Sequence, residues 1–455
     1  MSNAQRAELG VAPVGKLLVK MSVPATVAMM VNGLYNLVDT IFIGRGVGTD
    51  AIGGLALAFP VQMIVMGVGM AIGQGAASVV SRNLGAENDR RARRAAGNAF
   101  ALATAAGLVI LAAGLLFLEP LLGLLGAMDP LRGHARDYLR IILYGSPFIA
   151  LAMVSNNLFR AEGKARTAMT TMLIGAVTNI VLDPLFIFGF RMGVAGAAWA
   201  TVIGQFLAFA FSASLFLRRR TLVVVRAKHW IPRASVLREI TALGVPTFVR
   251  QGGQSIVAML LNNMFGIYGG PVYISAYGVV FRLILFVFMP LFGTVQGFQP
   301  IAGFNYGARL YGRVRRTLRI TAVYATAYTT TAFALLFGFP SLFAGIFTSD
   351  PQLIATVSRV MRSVVAAFPL LGIQIVGGAY FLVIGKSIPS LILNLSRQFL
   401  FLIPLLLILP RFFGLTGLLA SFPAADLSAA ALTVTWLVLE LRQLGKEEDA
   451  LGSPN

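Results

Sequence analysis

The sequence predicts an all-α integral membrane protein, with twelve transmembrane helices arranged as two pseudo-symmetric six-helix lobes. Three observations predict it. Hydrophobic residues make up 57% of the 455 residues and charged residues only 12%, far below the charged share of a soluble domain. Apolar runs of about 20 residues recur along the whole length, enough to cross a hydrocarbon core as helices and too long for barrel strands. Third, the chain repeats itself at a fixed shift of 222 residues.

The apolar runs fall at 17–44, 52–81, 95–118, 138–159, 167–190, 193–217, 240–267, 273–303, 317–340, 358–384, 388–409 and 415–441. The first is too long for a signal-peptide core, contains Pro24 and Asp39, and lacks a small-residue cleavage site, so it reads as a retained helix. Pro24 and Pro246 predict kinks in the first and seventh helices, and the kink at Pro24 is a candidate hinge. Glycines crowd the second and eighth runs (Gly67, Gly69, Gly73 and Gly75 against Gly293 and Gly297), as close helix packing requires.

Lys and Arg number 37 against 17 Asp and Glu, a net charge of +20. The bases gather in the short links after even-numbered runs: Arg82 to Arg94, Arg160 to Arg166, Arg218 to Lys228 and Arg309 to Arg316. No aromatic residues are interleaved for base stacking, so the pattern predicts lipid-facing cytoplasmic loops and not a nucleic-acid surface. The stretch around Arg132 and Arg136 departs from the pattern. Both termini are thereby placed in the cytoplasm.

The repeat is clearest between RNLGAENDRRARR (82–94) and FNYGARLYGRVRR (304–316), where Asn83, Gly85, Ala86, Arg91, Arg93 and Arg94 recur without a gap. The same shift carries Pro24 to Pro246, Gln74 to Gln296 and Pro147 to Pro369. It divides the chain into a first lobe (1–216), a cytoplasmic linker (217–239), a second lobe (240–441) and a cytoplasmic tail (442–455). Parallel repeats place a solute path between halves that alternate its exposure.

Two acids break the repeat. Asp39 lies within LYNLVDTIFIG and Asp183 within NIVLDPLFIFG, and the shift carries them to Leu261 and Leu405. An ionisable group inside a span costs several kcal/mol and usually marks an ion path. Asp39 lies five residues before Gly44 and Asp183 six before Gly189, so both sit roughly 7–9 Å from the same side. Thr201 lies about 12 Å along the helix that enters near Gly193. Asn36 and Asn179 each share their acid's helix face, and Pro184 frees the Ile180 carbonyl. Asp39, Asn179, Asp183 and Thr201 thus form a candidate oxygen-lined site for Na+ or H+. The same acids could instead serve only as hydrogen-bonding glue between helices. Tyr35 and Asn156 are candidates for a cavity wall. In the second half Arg250, Arg282, Arg397 and Asp426 are read as buried charges, Arg397 and Asp426 as a neutralising pair with substrate contact or gating as the alternative.

No phosphate-loop or dinucleotide motif is present, the only histidines are His134 and His229 in links, and cysteine is absent. The expectation is a transporter, not an enzyme, without a bound cofactor, its coupling ion being H+ or Na+.

On LYNLVDTIFIG, NIVLDPLFIFG, the paired RNLGA and NYGAR loops and the 222-residue repeat, the chain resembles the multidrug and toxic compound extrusion (MATE) family, and within it the DinF-like prokaryotic branch. The resemblance covers nearly the whole chain. It implies a V-shaped pair of six-helix lobes in a prokaryotic inner membrane, a monomer that exports lipophilic, often cationic, drugs by cation-coupled antiport with alternating access. It assigns the cation site to Asp39, Asn179, Asp183 and Thr201, and places Tyr35, Tyr138 and Asn156 near the first-lobe cavity. Two other readings stay open: a lipid-linked oligosaccharide or lipid flippase of the same superfamily, which Arg250, Arg282 and Arg397 would suit, and a passive channel or structural protein, against which the buried acids argue.

Overall fold

The computed structural model describes residues 8–125 and 131–450, and among these no strand occurs. Spans 1 to 3 are the helices Val14–Gly46, Thr49–Gly85 and Asp89–Leu116. Span 4 is a bent pair, Leu131–Tyr144 and Ser146–Ala161; span 5 is Ala165–Pro184, continued by a π-helical turn at Leu185–Gly189; span 6 is Gly193–Leu217. The same order follows as Ala234–Gly269, Pro271–Gly307, Tyr311–Gly338 and the bent pair Pro351–Val365 and Phe368–Val383. The helical run from Ser387 to Ala450 contains spans 11 and 12, divided at Gly414, whose φ of 55° interrupts the helix.

Proline explains the two bends. Spans 4 and 10 turn by 52° and 48° just before Pro147 and Pro369, which are 222 residues apart. A proline there lacks the N–H for the preceding turn and its ring crowds the carbonyl four residues back. Apolar pattern alone reads each as one straight run, and the structure corrects that. Short helices, Leu118–Leu124 and Pro340–Gly345, precede the bent spans and also recur in the repeat.

Contacts divide the chain into two compact units, residues 23–251 in one and 9–22 with 252 onward in the other. Glycine makes both groupings possible. In the first unit a Cβ on Gly75 of span 2 would sit 2.1 Å from the Ile240 carbonyl oxygen, and one on Gly244 of span 7 would sit 2.5 Å from that of Ala71. In the second, a Cβ on Gly297 of span 8 would sit 2.2 Å from the Ser22 hydroxyl of span 1. Gly75 and Gly297, like Ser22 and Gly244, are repeat mates.

The segment joining spans 6 and 7 is pinned to the first unit by buried polar groups that sequence reasoning missed. Asn98 donates to the carbonyls of His229 (2.9 Å) and Ile231 (3.1 Å) and accepts from the Arg233 N–H (2.8 Å). Glu162, fully enclosed, accepts from the N–H groups of Leu222 and Val223, both at 2.9 Å, and pairs with Lys164 at 3.2 Å. Repeat-mate arginines hold the entries to spans 7 and 1. Arg91 reaches Glu239 at 2.7 Å, while Arg313 donates to the Leu9 and Ala12 carbonyls at 3.2 and 2.8 Å.

Candidate functional site

Spans 1, 5 and 6 bring the four predicted site residues together inside the first unit. Asp39 comes from span 1, Asn179 and Asp183 from adjacent turns of span 5, and Thr201 from the second turn of span 6. The Asp39 and Asp183 carboxyl groups are close enough to influence one another directly. The Asn179 amide nitrogen donates to Asp183 Oδ1 at 3.2 Å and to Thr201 Oγ1 at 3.0 Å. Asp183 is fully enclosed and Asp39 only 7% exposed.

Three oxygens of this cluster, Asp39 Oδ1, Asn179 Oδ1 and Asp183 Oδ2, are buried without a hydrogen-bond partner among the described residues. Such an oxygen ordinarily costs about 1–3 kcal/mol. The Asn179 N–H groups are already committed to Asp183 Oδ1 and Thr201 Oγ1. Two carboxyl groups this close also cannot both be ionised unless positive charge joins them. The cluster therefore has the chemistry of a receptor for a proton or a small hard cation, for which oxygen ligands are the natural set. Among the described residues no group of three His, Cys, Asp or Glu could hold a metal ion, so amide and hydroxyl oxygens would have to complete the shell.

The repeat supplies an internal control. A shift of 222 carries Asp39, Gln62, Tyr138, Asn179 and Asp183 to Leu261, Ile284, Val360, Phe401 and Leu405. In span 12 the register slips by one, since the positive-φ glycine that starts it is Gly414 where span 6 has Gly193, and Thr201 is then matched by Phe422. All six counterparts belong to, or pack on, a single hydrophobic cluster of the second unit. The same helix scaffold packs well with apolar side chains here, so the polar set in the first unit is not a demand of the fold.

Around the acids, Tyr138 is buried and accepts a hydrogen bond from Gln62 at 2.9 Å; its phenol interacts electrostatically with Asp39, Tyr35 and Asp183. Gln62 was not anticipated, although it is one of only two glutamines, with Gln74, in the apolar run of span 2. Asn36 lies on span 1, with its side chain outside the described residues. The structure does not bring Asn156 to this cluster. Its amide donates to the Ala168 carbonyl at 2.6 Å and accepts from Arg160, which also donates to Asn157. Pro24 lies inside the continuous helix of span 1, beside the boundary between the two units.

In the second unit Arg397 pairs with Asp426, donating from Nε and Nη2. Reading Arg282 as buried is corrected, since its side chain is exposed; Arg250 is half-buried.

The comparisons with known proteins agree with the fold. The MatE family model matches the chain twice, over residues 24–185 and 246–408. The multidrug export protein MepA of Staphylococcus aureus (strain NCTC 8325 / PS 47) is 28% identical over 430 residues, 94% of each chain. Its counterpart in Staphylococcus haemolyticus is 26% identical over 427 residues, again 94% of each. Among solved structures, an outward-facing conformation of a multidrug resistance MATE family transporter of the MOP superfamily superposes with a TM-score of 0.90 at 26% identity, covering 96% of this chain and 98% of that one. A MATE crystal structure in the bent conformation gives 0.93 at 26% identity, covering 99% and 100%.

Proposed function

The chain belongs to the MatE family of membrane transporters, and from that premise we propose that it is a multidrug exporter driven by cation antiport. Its solutes are lipophilic compounds, many of them organic cations; its MepA relatives are multidrug export proteins. Its site of action is the inner membrane of a prokaryote, with both termini cytoplasmic and the monomer as working unit.

One observation carries the coupling: two neighbouring carboxyl groups and three donorless oxygens at positions where the other unit of the same chain has a dry core. A proton or sodium ion entering from outside neutralises the one negative charge that the Asp39–Asp183 pair carries, with Asn179 and Thr201 holding the carboxyl orientation. Neutralisation removes the electrostatic reason for span 1 to keep its position, and Pro24 gives it a place to bend. Tyr35 and Tyr138 lie in the same region and would sense the change first. Solute leaves as the ion binds, and ion release to the inside resets the cycle. Neither ion nor solute binding alone does work; coupling requires that each favour a different exposure.

The test is export of a fluorescent organic cation from cells or vesicles. The wild-type protein exports it when a proton or sodium gradient is imposed and stops when that gradient is collapsed. Asp39→Asn, expressed to the same level, abolishes gradient-dependent export; equal export by this variant overturns the proposal.

A further inference from the structure

We infer that Arg397 is an anion-reading residue of the second lobe, which holds the carboxylate of an aromatic solute; the inference rests on the export reading above. Arg397 lies ten residues beyond Ser387, where span 11 begins, hence about 15 Å deep and near the middle of a ~30 Å hydrocarbon core. An arginine head at that depth faces protein or a wet cavity, not lipid. Its pairing with Asp426 is lopsided: the Asp426 side chain is 1% exposed, that of Arg397 27%. The carboxylate is used up, while the Arg397 Nη1 group has no partner among the described residues. What the pair presents to a solute is therefore positive charge with two N–H donors.

The neighbours suit a flat, negatively charged molecule. Tyr277 interacts electrostatically with Arg397. Its ring lies 5.2 Å from Phe265, 6.1 Å from Phe422 and 6.2 Å from Phe281, centroid to centroid. Phe265 and Phe422 are buried in the hydrophobic cluster behind Tyr277, so the rings a solute can reach are Tyr277 and the exposed Phe281. An aromatic face beside a guanidinium matches a ring bearing a carboxylate, zwitterions included.

The fold does not require an arginine here. The repeat mate of Arg397 is Gly175, where span 5 packs so closely on span 6 that a Cβ on Gly204 would come 2.7 Å from the Gly175 carbonyl oxygen. The second lobe has given up that contact to seat a charged side chain, and it does so within a π-helical stretch, Ser396–Leu402, a distortion frequent at functional sites. As a stabiliser the pair gains little, because buried ion pairs seldom outweigh their desolvation.

The experiment titrates the purified full-length protein with two probes, a xanthene dye bearing a free carboxylate and the methyl ester of the same dye, read by fluorescence polarisation. Arg397→Gln with Asp426→Asn removes both charges and leaves none stranded. Loss of a charge-assisted hydrogen bond predicts that affinity for the acid dye falls about ten- to a hundredfold, with the ester within about threefold of wild type. Arg397→Lys keeps the charge without the planar fork and gives an intermediate loss for the acid dye alone. Equal weakening of both dyes, or an unchanged acid dye in either variant, overturns the inference. Binding is read without any ion gradient, so a failure of cation coupling leaves this readout intact and the two readings are separately refutable.

Discussion

Replacing both Asp39 and Asp183 by leucine should leave the protein about as stable as wild type or more so while ending transport. Aspartate and leucine side chains carry the same number of heavy atoms, and the second unit already places leucine at both matching positions. The double change removes two donorless buried oxygens, Asp39 Oδ1 and Asp183 Oδ2, each costing about 1–3 kcal/mol. Against that gain of about 2–6 kcal/mol stands the buried Asn179 N–H left without its acceptor, a cost of about 1–3 kcal/mol. The expected balance lies between about −1 and +5 kcal/mol, centred on a gain of about 2 kcal/mol. Thermal unfolding in detergent, followed by tryptophan fluorescence, measures it against wild type at a pH and salt where no coupling ion is in excess. A loss of about 3–5 kcal/mol, the usual penalty for breaking a buried charged pair, would mean that these acids hold helices together and would refute the ion-site reasoning.

Other consequences are as direct. Sodium, if it is the coupling ion, should raise the unfolding temperature of the wild-type protein with concentration and leave the double leucine variant unmoved; at a hundredfold excess over Kd the stabilisation is about 2.7 kcal/mol. Arg397→Leu alone strands Asp426 and should cost about 3–5 kcal/mol in the same unfolding assay, most of it recovered when Asp426→Leu is added. Gly75→Ala and Gly297→Ala each force a methyl group into a crossing with no room and should destabilise by about 1–3 kcal/mol, whereas Gly123→Ala, with nothing within 4 Å of the new Cβ, should be silent. Asn98→Ala removes three hydrogen bonds from the segment 229–233 and should speed tryptic cleavage at Lys228 and Arg233 about tenfold or more, as local opening becomes easier.

The helices and the acid pair were legible because membrane spans leave few polar residues to choose from. Asp39, Asn179 and Asp183 stand out against apolar neighbours, and residue counts alone set them at one depth. Repetition added the sharper signal, since a duplicated scaffold shows which side chains it can do without. Features that depend on where helices cross were not legible. The Gln62–Tyr138 hydrogen bond joins residues 76 apart, and the grip of Asn98 on the segment 229–233 spans more than 130. Nor were the partners of Asn156 legible, the Ala168 carbonyl and Arg160, which its amide meets within the first unit. Arg282 looked buried because its span is apolar, but its side chain is exposed.

The measurement that bears most directly on the central claim is gradient-driven export by reconstituted protein in sealed vesicles. Vesicles containing wild-type protein should move an organic cation against its gradient only while an opposing proton or sodium gradient lasts. Those containing Asp39→Asn or Asp183→Asn should bind the same solute but fail to concentrate it. Uphill movement of the solute by either variant at the wild-type rate would contradict the account.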